Sequence, residues 1–129
     1  MFDQHMLLEE GFENVVEQGE TMGFALRARL PYYRGLGLSM IEGIGLAVDG
    51  EAISRAALRL ELRDRSWTLD EMAQEQGDRW NFGEIGRLVV DWPGGLALGK
   101  HRVELSETLR ISYLPFVPTT WCVKELELK

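Results

Sequence analysis

Apolar and polar residues alternate along much of this chain, and this pattern limits what it can fold into more than any other feature. Within residues 21–30 the even-numbered side chains are apolar, while Arg27 and Arg29 have the other parity. Residues 56–63 repeat the pattern, with leucine at every second position from Leu58 to Leu62. Because successive side chains on a β-strand point to opposite faces, both segments are predicted to be strands with one buried face.

The same spacing recurs in five further sets of residues. They are Met40, Ile44, Leu46 and Val48; Leu88, Val90 and Trp92; Val103 and Leu105; Leu109, Ile111 and Tyr113; and Val123, Leu126 and Leu128. The last set changes from odd to even numbers after Val123, which predicts a β-bulge, since a bulge adds one residue to a strand. Asp49-Gly50 has the residue types that adopt the positive φ angles of a type I′ turn, and predicts a hairpin.

One short helix is predicted over residues 69–76. Thr68 is a suitable N-cap, Glu71 completes a capping box three residues later, and Gly77 stands where the helix would stop. With seven to nine short strands and one helix, the sequence predicts an all-β fold. We expect an antiparallel β-sandwich, for which a jelly-roll arrangement is one option, as a single domain over residues 1–129.

Charge and composition limit the partners of the chain. With 14 basic and 21 acidic residues its formal net charge is −7, which disfavours binding to nucleic acids or anionic membranes. No apolar run approaches the roughly 20 residues of a membrane span, and the first residues do not resemble a secretion signal. We therefore expect a cytoplasmic location. The single cysteine, Cys122, excludes an intrachain disulfide.

Residues suited to catalysis are few. The histidines are His5 and His101, and no spacing of His, Cys, Asp and Glu predicts a metal site, so we expect neither a metal nor a catalytic residue in this chain. His101 opens a predicted strand. It is either a structural histidine hydrogen-bonded at the strand end or a general base at the rim of the sandwich.

Aromatic residues are concentrated in the predicted loops. The clusters are Tyr32-Tyr33-Arg34, Trp80-Asn81-Phe82, and Tyr113-Leu114-Pro115-Phe116 with Trp121 shortly after. Tyrosine, tryptophan and arginine combine apolar area with hydrogen-bonding groups, which is why they dominate binding hot spots. For any one ring the alternative is that it closes an end of the core, and this is the favoured interpretation for a single ring. Three such clusters together predict a partner surface or the rim of a ligand site.

Several segments, taken in order, match a known pattern. They are residues 30–39, Val48-Asp49-Gly50, residues 80–84, Pro93-Gly94-Gly95-Leu96, Gly99-Lys100-His101, Ile111-Ser112-Tyr113 and Cys122-Val123-Lys124. This series covers nearly the whole chain and resembles the small (β) subunit of bacterial C-glycoside deglycosidases.

The resemblance implies a non-catalytic β-sandwich subunit of a hetero-oligomeric, lyase-type enzyme. It would dock beside the active site of a larger (β/α)₈ subunit that resembles sugar isomerases. That subunit would hold a divalent metal, typically manganese, and the catalytic histidine. The implied substrate is a 3-keto C-glycoside at the shared site, whose C–C bond to the aglycone breaks by elimination.

The resemblance also suggests which residues contact the larger subunit or line the substrate rim. The first candidates are Tyr32, Tyr33 and Arg34, followed by Trp80 and Phe82, and then His101. Other functions stay open: a stand-alone β-sandwich that binds a carbohydrate or other small ligand, a stand-alone enzyme using His101, and a homo-oligomeric structural protein.

Overall fold

The computed structural model describes residues 5–32, 34–111 and 114–129. Its strands are β1 (Glu13–Glu17), β2 (Glu20–Ala28), β3 (Leu36–Gly37), β4 (Ile41–Val48), β5 (Glu51–Ala52), β6 (Leu58–Leu62), β7 (Arg65–Thr68), β8 (Arg79–Trp80), β9 (Gly86–Asp91), β10 (Gly99–Leu109) and β11 (Thr119–Leu128). The α-helix α1 spans Leu69–Gln74, and short 3₁₀ turns occupy Leu38–Met40 and Arg55–Ala57.

The strands form two main antiparallel sheets and one small one. The five-stranded sheet has the order β1-β2-β9-β6-β7, the four-stranded sheet β11-β10-β4-β5, and the small sheet pairs β3 with β8. Inward-facing side chains of both main sheets meet in one apolar core, for example Leu60 and Leu88 from one sheet and Leu46 and Leu105 from the other. The predicted all-β class with a single short helix is confirmed.

The local signals in the sequence determine the turn and the helix. Asp49 and Gly50 have φ angles of 52° and 84° and connect β4 to β5, as a type I′ turn requires. At the start of α1, Thr68 and Glu71 form the predicted capping box. The helix ends two residues earlier than predicted, because the Glu75 carboxylate accepts hydrogen bonds from the backbone N–H groups of Gly77 and Asp78.

Strand β10 is longer than the sequence pattern indicated. Val103, Leu105 and Leu109 were assigned to two separate sets, but they lie on one continuous strand and all face the core. The residue that breaks the apolar pattern is Glu107, which is buried at the inward-facing position between Leu105 and Leu109. Ile111 is buried beyond the strand, and Tyr113 lies outside the described residues.

The predicted bulge in β11 is wrong. Its register with β10 is continuous from Thr119 to Leu128, so the inward parity is even along the strand. Cys122 faces inward together with Leu126 and Leu128, whereas Val123 is half-exposed. The prediction failed because the inward-facing position between Cys122 and Leu126 is occupied by a lysine, Lys124, and not by an apolar residue. Its ammonium donates to the Leu7 carbonyl oxygen at 2.9 Å.

Among the described ranges, no helix has the length and apolar character needed to cross a bilayer.

The carboxyl group of Glu107 is the most unusual feature of the core. The residue pairs with Ile44 of β4 on one side and Thr120 of β11 on the other. Neither carboxyl oxygen has a hydrogen-bond partner within the described part of the chain. Loss of solvation on burial raises the pKa of Glu107 well above its ordinary value, which favours the neutral acid.

We expect Glu107→Gln to stabilise the fold at alkaline pH. Because its pKa is raised in the native state, Glu107 keeps its proton there at pH values where the unfolded chain has lost it. The free energy of unfolding is therefore unaffected by ionisation of this group below the pKa of the unfolded chain and decreases as the pH rises above it. Urea unfolding at pH 5 and pH 8 measures it. The variant should be more stable than the original chain at pH 8 by at least about 1 kcal/mol, and this difference should shrink at pH 5.

The matched control is Glu104→Gln, which removes an outward-facing carboxylate from the same strand. Its stability difference from the original chain should change little between these two pH values. If Glu107→Gln gives the same difference at pH 5 and pH 8, the carboxyl of Glu107 is not a neutral acid in the native state.

Candidate functional site

The small sheet brings two of the predicted aromatic segments together. Leu36 pairs with Trp80 and Gly37 with Arg79, and the Arg79 guanidinium donates to the Gly35 carbonyl oxygen at 2.8 Å. Gly35 allows this approach, because a Cβ atom there would lie only 2.9 Å from the Trp80 carbonyl oxygen. The connection before β3 is thus held against the segment that carries Phe82.

The predicted site residues of these segments differ in exposure. Trp80 is fully buried and its indole N–H donates to the Glu84 carbonyl oxygen at 2.8 Å, and Tyr32 is also buried. Arg34 is exposed, and Phe82 exposes 60% of its surface. Tyr33 lies outside the described residues. Tyr32 and Trp80 therefore close this end of the core, whereas Arg34 and Phe82 are accessible to another molecule.

Arg63, in the turn between β6 and β7, fixes the segment around Phe82. Its guanidinium contacts the Glu84 carboxylate, donates to the Arg79 carbonyl oxygen at 2.8 Å, and lies 3.4 Å from Asp78 Oδ1. The hydrogen bond with Glu84 is the main cause that raises the pKa of Arg63. Each partly exposed pair contributes little alone, but three contacts on one rigid guanidinium restrain the loop.

His101 has both ring nitrogens in hydrogen bonds within the chain. Nδ1 lies 2.6 Å from Asp49 Oδ2, and Nε2 lies 2.7 Å from the Ala97 carbonyl oxygen. A carbonyl oxygen can only accept, and an ionised carboxylate also only accepts, so this arrangement favours the protonated ring, an imidazolium in which both nitrogens donate. The Ala97 carbonyl, and then Asp49, raise the pKa of His101, and the hydrogen bond from His101 lowers the pKa of Asp49.

This geometry favours the structural interpretation of His101 over the general base. The ring is buried against the edge of Phe12, and Asp49 Oδ1 also accepts from the Arg102 N–H at 2.9 Å, so the pair fixes the β4–β5 turn to the start of β10. His101 is also separated from the other candidates. It lies near the beginning of β10. The end of that strand is roughly 26 Å away at the rise of an extended strand, and it adjoins the turn that follows β3, where the Arg110 N–H donates to the Met40 carbonyl oxygen at 2.7 Å.

Sequence reasoning gave too little weight to one exposed group of residues. Trp121 and Val123 project from the outer face of β11 and expose 63% and 50% of their surface, and Phe116 and Val117 are exposed just before the strand. The parity of β11 would have revealed Trp121 and Val123, but Val123 was assigned to the core.

No group of three or more His, Cys, Asp and Glu residues in the described part of the molecule is arranged to hold a metal ion.

Comparison with known proteins decides the family. Residues 2–113 match the family model described as C-glycoside deglycosidase beta subunit. The chain belongs to the C-glycoside deglycosidase beta subunit family. The resemblance drawn from the ordered motifs is thereby confirmed.

Relatives carry the same description over most of their length. A C-glycoside deglycosidase beta subunit of Eubacterium cellulosolvens is 32% identical over 114 residues, which cover 88% of this chain and 78% of the relative. A 3'-dehydrocarminate deglycosidase beta subunit of a Microbacterium species is 32% identical over 130 residues, which cover 100% of this chain and 93% of the relative. The word "subunit" in these names implies that each relative works with a partner chain.

We expect His101→Gln to destabilise the fold more at pH 6 than at pH 9. Because the pKa of His101 is raised in the folded chain, protonation of the ring stabilises the fold. This stabilisation is present in full below the pKa of the unfolded chain, near 6.5, and is lost as the pH rises through the pKa of the folded chain. The loss at pH 6 should be about 1–3 kcal/mol, because two hydrogen bonds of a charged ring disappear. Urea unfolding at the two pH values measures it.

His5→Gln serves as the control, since His5 is exposed and has no ring contact to lose among those the structure describes. A loss of stability in His101→Gln that is equal at pH 6 and pH 9 would contradict the imidazolium.

Proposed function

We propose that this chain is the non-catalytic small subunit of a heteromeric C-glycoside deglycosidase. It docks beside the active site of a larger, metal-dependent (β/α)₈ subunit. The complex cleaves the C–C bond between the sugar and the aglycone of a 3-keto C-glycoside by elimination.

The observation that carries this proposal is the family match over residues 2–113, together with relatives named as beta subunits of deglycosidases. One of these relatives is named for 3'-dehydrocarminate, a substrate name that denotes an oxidised sugar position. The same class of substrate, a C-glycoside with a ketone at C3, is therefore proposed for this chain.

The state of His101 agrees with a non-catalytic role. A general base needs a free nitrogen within reach of the proton it removes. His101 donates from both nitrogens to acceptors of its own chain and is buried. The catalytic base is accordingly proposed to be the histidine of the larger subunit that the family resemblance implies.

The chemistry proposed for the complex follows from the ketone. A carbonyl at C3 acidifies the proton on C2, so a base can remove it and the bond to the aglycone at C1 can break by elimination. The metal ion implied by the resemblance would be held by the larger subunit, where a Lewis acid stabilises the developing negative charge. The proposed contribution of this chain is to complete the walls of the site.

The residues proposed to reach the shared site are those of the end around β3 and β8. Arg34 and Phe82 are the accessible ones, whereas Tyr32 and Trp80 support them from the core. Tyr33, next to Arg34 in the sequence, and His101 at the other end of β10 remain candidates for contact with the larger subunit.

Assembly with a larger subunit is the first test. We expect the chain to co-purify in fixed stoichiometry with a sugar-isomerase-like (β/α)₈ protein of the same organism when the two are co-expressed. The complex should cleave a 3-keto C-glycoside, and the chain alone should not. Chelation of divalent metal should abolish turnover but leave this chain folded. If the isolated chain instead binds free sugars tightly and ignores the larger protein, it is a stand-alone carbohydrate-binding protein.

Within such a complex, Arg34→Ala and Phe82→Ala should each lower turnover or assembly by about tenfold, because truncated hot-spot residues commonly lose more than 1 kcal/mol. Thermal melting of the isolated variants should match the original chain, since both side chains are exposed. Ile85→Ala, at an exposed apolar residue just outside the segment, is the control. Unchanged turnover and assembly in both variants would remove this end from the shared site.

A further inference from the structure

The outer face of the four-stranded sheet is built from three rows of residues around Trp121. The rows are Gly43, Thr108 and Thr119; Gly45, Ser106 and Trp121; and Ala47, Glu104 and Val123. These nine residues are called the Trp121 face below. Each row runs across β4, β10 and β11. Its side chains point away from the core, because buried residues alternate along β10 and the rows lie at the positions between them.

The Trp121 face exposes more apolar surface than its own fold requires. Trp121 is 63% exposed and Val123 50% exposed, and Phe116 and Val117 extend the apolar surface into the loop before β11. A single exposed apolar residue needs no explanation, but a contiguous group on a sheet face is typical of a surface that another molecule covers.

Two glycines keep the β4 side of this face free of large side chains. Gly45 is required by its neighbour, because a Cβ atom there would lie 2.5 Å from Ser106 Oγ. Gly43 lies where the register of β4 with β10 is irregular: Glu42 is an extra residue between the pairs Gly43–Thr108 and Ile41–Leu109, and glycine is common at such bulges. A Cβ atom at Gly43 would meet nothing within 4 Å in its own chain, so the surface there is open to another molecule.

The charges around the face are already paired with one another. Arg102 lies 2.9 Å from Glu104, Lys100 lies 3.7 Å from Glu125, and Arg110 contacts Glu42. Glu104 is the one charged residue of the face, and this pairing neutralises it. The arrangement of an uncharged centre with polar pairs at its border is that of a protein–protein interface.

The dimensions of the face also fit the centre of such an interface. It is three strands wide and about five residues long, which is roughly 14 Å by 16 Å at ordinary strand spacings. A standard interface buries about 800 Å² on each partner, so this face would form its desolvated core and the loop with Phe116 part of its border.

We propose that the Trp121 face is the surface on which the larger subunit docks, an inference that rests on the proposed function. The complementary surface is uncharged and predominantly apolar. A second copy of this chain is a poorer occupant, because each copy carries a formal charge of −7. A free sugar is also a poorer occupant, because small-ligand sites are concave, whereas the rows around Gly43 and Gly45 form an open sheet face.

The test measures binding of the full chain to the larger subunit, with the (β/α)₈ protein that co-purifies with it immobilised on a biosensor. We expect Trp121→Lys to weaken binding about 30-fold or more, as at a hot spot. Val123→Lys and Gly43→Val should each weaken it about tenfold. Gly43→Val adds bulk to the centre of the face, where a Cβ atom meets nothing within 4 Å of its own chain, and its melting temperature is measured beside its binding to establish that it folds.

Val16→Lys is the matched control for Val123→Lys. Val16 is 59% exposed on β1 of the other sheet, so the same substitution changes net charge equally but leaves the Trp121 face intact. Its binding should equal that of the original chain. If Trp121→Lys does not fold, Val123→Lys and Gly43→Val decide the question.

The outcomes separate this inference from the proposed function. If the original chain binds and Trp121→Lys and Gly43→Val bind equally well, the docking surface is elsewhere and the proposed function stands. If the original chain does not bind the larger protein, the proposed function fails and this inference fails with it. If the chain alone forms a dimer that Trp121→Lys dissociates, a second copy occupies the face and the inference is overturned.

Discussion

The pairing of β10 with strands on both sides is the constraint on which the rest of the structure depends. β10 hydrogen-bonds β11 along its length and β4 along most of it, and this register sets which side chains face the core and which face outward. One face of the strand contributes His101, Leu105 and Glu107 to the interior. The other contributes Ser106 and Thr108 to the Trp121 face. A slip of one residue would exchange the two sets, so the register is strongly specified by burial.

The fold class could be predicted because the signals that determine it are local. Alternating leucines from Leu58 to Leu62 identify a strand whatever lies opposite, and the Asp49-Gly50 turn and the Thr68 capping box each depend on a few neighbouring residues. Prediction failed where a polar residue has inward parity. Glu107 divided one strand into two apparent sets, and Lys124 led to a bulge that does not exist, because sequence does not reveal which carbonyl oxygen an ammonium will reach.

The candidate site was harder to predict than the fold, because exposure depends on packing between distant segments. Trp80 and Phe82 stand two residues apart and have similar chemistry, yet one is fully buried and the other is largely exposed. Trp80 pairs with Leu36 of β3, which is more than 40 positions earlier in the chain, and its ring lies against Gly86 of β9, where a Cβ atom would come within 3.0 Å of Trp80 Cζ2. His101 illustrates the same limit: its role follows from Asp49 and Ala97, and only the structure shows that both meet the ring.

Cys122 makes the docking strand observable by a chemical route. It is the single cysteine of the chain, it is buried, and it lies between Trp121 and Val123 with its side chain on the opposite side of β11. A thiol reagent reaches a buried cysteine only when the strand that carries it opens. The rate at which Cys122 is labelled therefore reports the opening of β11, without any introduced probe. A partner that covers the outer face of β11 would oppose the opening of this strand. It would therefore slow the labelling of Cys122 without touching the cysteine itself.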